Sequence, residues 1–168
     1  MKFYSLHKKS PAVDFRTAAI EGQAPDKGLY FPERIPVLSD KFINNLENIS
    51  DNDIAFTVIQ PYVGDSLTED ELRSIVAETL QFPIPLVPIT SAIATLELFH
   101  GPTLAFKDVG ARFMSRCLGA FMRNQEKNVT VLVATSGDTG GAVANGFYDV
   151  PGVEVVILYP SGMVSSVQ

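Results

Sequence analysis

The sequence predicts an α/β protein. A mostly helical N-terminal region over residues 1–88 is followed, over 89–168, by the start of a parallel-sheet domain. Three observations carry this expectation. Thr68 with Glu71 matches a capping box, and Leu72, Ile75, Val76 and Leu80 form the apolar stripe of the helix behind it. Pro83, Pro85 and Pro88 then interrupt the pattern and mark a connector between the two regions. Beyond the connector, two apolar, β-branched runs, Val129–Ala134 and Val153–Tyr159, flank a helix expected over Thr139–Tyr148. That order is a βαβ unit, whose crossover makes the two strands parallel.

Taken in chain order, Asp14–Glu21 is a short helix candidate, and Gly28-Leu-Tyr-Phe-Pro32 reads as a turn with inward-packing aromatics. Ser39 is placed to cap a helix running through Phe42 and Leu46. Ser50-Asp51 opens another, with Ile54, Phe56, Val58 and Ile59 mainly apolar. After the connector, Ile93–Phe99 alternates enough for a strand. Asp108–Asn124 is a broad helix with Val109, Phe113, Cys117 and Phe121 on one face. Met114, Leu118 and Met122 widen that face, so the helix is expected to be well buried. Val129–Ala134 and Val153–Tyr159 have the composition of parallel strands covered on both faces, and Pro151-Gly152 ends the helix between them.

Composition excludes several function classes. Hydrophobic residues at 46% and charged residues at 19% predict a packed core rather than disorder. The net charge is −6 and no basic stripe is present, so a nucleic-acid partner is not expected. His7-Lys8-Lys9 is the one concentrated basic spot and reads as a solvated loop. The single cysteine, Cys117, rules out an internal disulfide or a multi-cysteine metal site and reads as a buried structural thiol. His7 and His100 show no metal-ligand spacing, and no metal is expected. The N-terminus lacks a secretory apolar stretch and no apolar run is long enough to span a bilayer, so the expectation is a cytoplasmic protein without a membrane partner.

Two segments carry chemistry. In His100-Gly-Pro-Thr-Leu-Ala-Phe-Lys107-Asp108, a glycine–proline turn delivers a lysine to the start of a buried helix beside a phenylalanine. Desolvation and the positive end of a helix act against the ammonium form of a lysine so placed, which favours an amine nucleophile for Schiff-base formation. The alternative is an exposed first-turn lysine whose neighbour Asp108 caps the helix. The second segment, Thr135-Ser-Gly-Asp-Thr-Gly-Gly141, lies directly between strand and helix, where ligands of open α/β sheets collect. Helix N-terminal N–H groups, with the hydroxyls of Ser136 and Thr139, suit a carboxylate or phosphate. An ordinary turn with Asp138 or Thr139 as cap remains the alternative. Neither a Walker A loop nor a Gly-x-Gly-x-x-Gly fingerprint is present.

Taken together, the two segments resemble a known family. Leu96-Glu-Leu-Phe-His-Gly-Pro-Thr-Leu-Ala-Phe-Lys-Asp108 is similar to the cofactor-lysine signature of threonine synthases. Ala134-Thr-Ser-Gly-Asp-Thr-Gly140 resembles that family's substrate loop, and Gly28-Leu-Tyr-Phe-Pro32 its opening region. The resemblance implies a tryptophan-synthase-β-like architecture (pyridoxal phosphate fold type II). The reaction it implies converts O-phospho-L-homoserine and water to L-threonine and phosphate, with pyridoxal 5'-phosphate as cofactor.

Carried over residue by residue, Lys107 would be the Schiff-base and acid–base residue. Asp138 would lie near the cofactor's phenolic oxygen, where related enzymes of this fold carry asparagine. Thr135, Ser136, Gly137, Asp138 and Thr139 would hold the substrate carboxylate. Family members are longer, and their phosphate-gripping glycine loop lies further on. The resemblance therefore implies a truncated domain with weak or no activity alone, prone to self-association through its incomplete sheet. Competing expectations are another lyase of the same fold, acting on threonine or diaminopropionate, or a non-catalytic remnant binding a small anion or a partner.

Overall fold

The computed structural model describes residues 1–123, 125–126 and 128–164. The chain divides into two compact units, Met1–Ala77 and Glu78–Gln168. Residues 83–88, read from the sequence as a connector, lie inside the second unit.

In the first unit, β1 (Phe3–Ser5) pairs antiparallel with β2 (Tyr30–Pro32), so residues 30–32 of the expected turn form a strand. Side chains alternate across a strand, so consecutive aromatics cannot all turn inward. Phe31 is accordingly 42% exposed, with its ring edge-on to Tyr4. Gly28 permits the close approach, because a Cβ there would lie 2.0 Å from Ser5 Oγ. Asp26 ties the same corner together, accepting from Ser5 Oγ at 2.6 Å, Lys9 N at 2.9 Å and Gly28 N at 3.0 Å.

The helices of this unit start where their caps dictate. Asp14 accepts from Thr17 N at the start of α1 (Phe15–Glu21), and Ser39 from Phe42 N at the start of α2 (Asp40–Ile43). The helix expected to run on to Leu46 stops at Ile43, and Leu46–Asn48 forms a separate 3-10 turn. Ser50 caps α3 (Asp51–Val63). The capping box forms as read, with Thr68 N donating to Glu71 Oε2 at 3.0 Å and Glu71 N to Thr68 Oγ1 at 3.3 Å, at the start of α4 (Glu69–Thr79). Behind it Leu72, Ile75 and Val76 are buried, as are Val63 and Leu67.

The second unit holds the α/β part. A short hairpin of β3 (Leu86–Pro88) and β4 (Ala94–Leu96) opens it, and the strand expected over Ile93–Phe99 is confined to three residues. Pro88 is tolerated in β3 because a strand of a two-stranded hairpin has an open edge needing no N–H donor. Then follow α5 (Lys107–Met122), β5 (Val129–Ala134), α6 (Asp138–Phe147) and β6 (Val153–Leu158). Strands β5 and β6 pair in parallel, Val129 opposite Val153 through Ala134 opposite Leu158, with α6 as the crossover.

Two features differ from the sequence reading. The strands alternate half-buried and exposed residues, with Leu132 67% and Leu158 55% exposed, so among the described residues only one face of the sheet is covered. The buried face of α5 runs through Asp108, Ala111, Ser115, Cys117, Leu118 and Phe121, leaving Val109 and Phe113 half-buried. Asp108 and Ser115 are polar, so apolar periodicity alone misplaced the stripe. Asn124, at the end of that expected helix, and residues 165–168 lie outside the described residues.

Helices α5 and α6 pack closely because Gly146 faces Ala111, where a Cβ on the glycine would come within 3.1 Å of the alanine Cβ. Arg116 reinforces the contact by donating to Gly146 O at 2.7 Å, and also to Ser115 Oγ. Among the described residues no helix is long and apolar enough to cross a membrane.

Candidate active site

Lys107 is the first residue of α5, and the turn before it fixes where its amine points. Gly101 O accepts from Leu104 N at 3.1 Å, and Leu104 adopts φ 59°, a left-handed conformation that L side chains avoid. The carboxylate of Asp108, 1% exposed, turns back over this segment. It accepts from Thr103 N at 3.0 Å and from Thr103 Oγ1 at 2.5 Å. From this platform the Lys107 amine extends past the Phe106 ring, 4.7 Å from its centroid, to lie 3.7 Å from Asp138 Oδ2.

Asp138 opens α6, reached from the carboxyl end of β5 through residues 135–137. The loop is braced by one side chain. Thr135 Oγ1 accepts from both Gly137 N and Gly140 N, each at 3.1 Å, while Thr135 N is tied to Leu158 O on β6. Glycine is required at 140 for space, since a Cβ there would fall 2.4 Å from Thr135 Cγ2. Ser136, Asp138 and Thr139 remain exposed.

Lys107, Thr135, Ser136, Gly137, Asp138 and Thr139 line one small polar hollow of about 200 Å³. These are the residues singled out from the sequence, drawn from two segments separated along the chain by α5 and β5. Their roles in the geometry differ. The Thr135 oxygen is engaged in bracing its own loop, whereas the hydroxyls of Ser136 and Thr139 have no hydrogen-bond partner among the described residues. Thr103 gives its hydroxyl to Asp108. Asp108, read from the sequence only as a possible helix cap, instead accepts from Thr103; Gly101, whose Cβ would lie 2.4 Å from Asp108 Oδ2, was the available signal for that placement. His100 pairs with Glu97 at 2.6 Å.

Chemically, the hollow offers a primary amine, an opposing carboxylate, two hydroxyls and the N-terminus of a ten-residue helix. The amine is a nucleophile for an aldehyde, and the hydroxyls with the helix terminus suit a carboxylate.

Comparison with known proteins points to one family. Residues 2–80 match the family model described as the threonine synthase N terminus. The whole chain aligns with threonine synthase of Escherichia coli (strain K12) at 40% identity, and with that of Haemophilus influenzae at 42%, in each case over 39% of the relative's length. The chain thus spans well under half of the curated relatives it matches. Among solved structures, PLP-bound threonine synthase from Brucella melitensis superposes with a TM-score of 0.92 at 35% identity, over 99% of this chain and 37% of that one.

Proposed function

Because the chain belongs to the threonine synthase family, matching its N-terminal part, we propose that it carries the lysine side of a pyridoxal-phosphate lyase site. The reaction is conversion of O-phospho-L-homoserine and water to L-threonine and phosphate, in the cytoplasm. The observation that carries the reading is the 3.7 Å approach of Lys107 Nζ to Asp138 Oδ2 within the hollow that the Ser136–Thr139 loop lines. An amine directed into bulk water, away from that loop, would have been incompatible with it.

The donor set fits the aldehyde end of pyridoxal phosphate: an accessible primary amine, its side chain 33% exposed, at the mouth of a polar hollow. When bound, the cofactor supplies an electron sink for carbanion charge, which no side chain provides. The remaining work falls to this chain's own groups. The Lys107 nitrogen would hold the cofactor and carry protons between neighbouring substrate carbons. Asp138, facing Lys107 across 3.7 Å, would be the residue near the cofactor's phenolic oxygen and would keep the proton-carrying nitrogen aligned. Ser136 and Thr139 hydroxyls, with Gly137 and the start of α6, hold the substrate carboxylate. Thr135 keeps that loop in shape.

The test is chemical trapping. The protein is incubated with pyridoxal phosphate, reduced with borohydride and mapped by peptide mass spectrometry. Lys107 should take the label in preference to Lys2, Lys8, Lys9, Lys27, Lys41 and Lys127, and Lys107→Ala should abolish the absorbance band of the adduct. Uniform labelling of all lysines would refute the assignment. Substrate choice is separated by offering O-phosphohomoserine against threonine, since only the former should perturb the cofactor spectrum productively.

The reading also includes self-association of this 168-residue chain. Strands β5 and β6 form a two-stranded sheet, and Leu132, Val156 and Leu158 are exposed on it. Light scattering that gives a strict monomer at high concentration would count against it.

A further inference from the structure

We infer that Asp108 is a positioning residue for Lys107. Its buried carboxylate clasps Thr103, and the clasp fixes the turn that presents the amine to the Ser136–Thr139 loop. The inference rests on the reading of Lys107 as the cofactor amine.

Four observations converge on it. Asp108 is 1% exposed, so its carboxylate has left water and needs compensating donors. It finds two on one residue, the amide of Thr103 at 3.0 Å and its hydroxyl at 2.5 Å. Gly101 is compressed against the same carboxylate, where a Cβ would meet Asp108 Oδ2 at 2.4 Å and Cγ at 2.9 Å. Directly after Thr103, between it and Asp108, lies Leu104, left-handed at φ 59° and 67% exposed, so burial does not recompense its backbone conformation.

The start of α5 explains why such a device is needed. Phe106 occupies the cap position and gives no side-chain hydrogen bond, so the first turn of the helix has no conventional cap. Asp108, from inside that turn, reaches back over it. The residue it holds, Thr103, and the residue it must aim, Lys107, are four apart with Asp108 beside the latter. Loosening the clasp lets the 101–106 turn relax from the Leu104 conformation, and the base of the lysine side chain moves with it. A carboxylate that served stability alone would leave the direction of the amine unaffected.

The two roles separate by trapping at Lys107 combined with a fold measurement. Asp108→Ala, Asp108→Asn and Thr103→Ala are each incubated with pyridoxal phosphate, reduced with borohydride and mapped lysine by lysine. Melting is followed in parallel by circular dichroism. Asparagine keeps the shape, accepting from Thr103 N and donating to Thr103 Oγ1, whose hydroxyl can exchange roles. Misplacement by about 1 Å costs reactivity by up to two orders of magnitude, so Asp108→Ala should lose label at Lys107 by about tenfold or more. Label at Lys2, Lys8 and Lys9 should not change. Asp108→Asn should restore Lys107 labelling to within about threefold of wild type, and Thr103→Ala should fall between the two.

Wild-type labelling in Asp108→Ala would overturn the inference. So would an Asp108→Asn protein that labels no better than Asp108→Ala. If Asp108→Ala fails to fold, Thr103→Ala decides, and its retention of full labelling at Lys107 is the overturning result. Failure of the underlying functional reading is distinct, because it appears in the wild-type chain as absence of any preference for Lys107, and it would withdraw this inference with it.

Discussion

The packing of Gly140 against Thr135 yields a prediction whose sign changes with its partner. Gly140→Ala places a methyl 2.4 Å from Thr135 Cγ2, while the next neighbours, Ile157 Cγ2 and Thr135 Cβ, are both at 3.4 Å. Alanine gains about 1 kcal/mol over glycine inside a helix, but overpacking of this kind costs about 1–3 kcal/mol. In the wild-type background the substitution should therefore destabilise α6, net, by about 1 kcal/mol. Thr135→Ser deletes the Cγ2 while keeping the oxygen that accepts from Gly137 N and Gly140 N. In that background Gly140→Ala should become stabilising, by up to about 1 kcal/mol. Thr135→Val is the complementary control: it keeps the branched shape and abolishes both acceptances, at about 1 kcal/mol each. The measurement is hydrogen exchange of peptides covering 138–147, which reports the opening free energy of that segment directly. A Gly140→Ala effect of the same sign and size in both backgrounds would refute the packing argument.

Other predictions concern the rest of the chain. Hydrogen bonding, led by Ser5, holds the Asp26 carboxyl down to about 2 from its ordinary 3.8, so its contribution to stability is complete above the ordinary value and is lost as pH falls from there through about 2. The stability difference between wild type and Asp26→Asn, followed by urea titration at successive pH values, should shrink across that window; a difference independent of pH would contradict it. Burial pushes the Cys117 thiol up to about 12, and the residue is 1% exposed. A thiol reagent at mildly alkaline pH should leave the folded protein unlabelled and modify it promptly in denaturant; rapid labelling without denaturant would show the thiol is not shielded.

Much of the fold was legible because local chemistry and period agree. Asp14, Ser39, Ser50 and the Thr68–Glu71 pair all act as the caps their residue types imply, since a short side-chain oxygen before a helix satisfies its orphan N–H groups. The βαβ unit was legible from composition alone. What failed to show is whatever depends on pairing across the chain. Tyr30–Pro32 is a strand only because Phe3–Ser5 lies beside it, and nothing within the Gly28–Pro32 stretch records that partner. Residues 83–88 looked like a connector because proline usually breaks elements, yet β3 tolerates Pro88 opposite Ala94 at the open edge of a hairpin. In α5 the apolar stripe was offset because two of the most buried residues, Asp108 and Ser115, are polar.

Within the hollow, the lining residues were legible in the sequence and their structural roles were not. Thr135, Ser136 and Thr139 are three small hydroxyl residues within five positions, and nothing in the sequence separates them. The fold does so through the glycines. Gly137 and Gly140 bring their amides to Thr135 Oγ1, and Gly140 can come that close only because it lacks a Cβ. With Thr135 occupied in this way and Asp138 turned to Lys107, the hydroxyls of Ser136 and Thr139 are the ones left facing the hollow. On the proposed reading, an α-carboxylate would meet neutral donors there at a helix N-terminus, while Lys107 faces Asp138. On that reading the amine would be committed to the cofactor without competing for the substrate's carboxylate. Which hydroxyls face the hollow follows from the position of one threonine oxygen between two glycine amides.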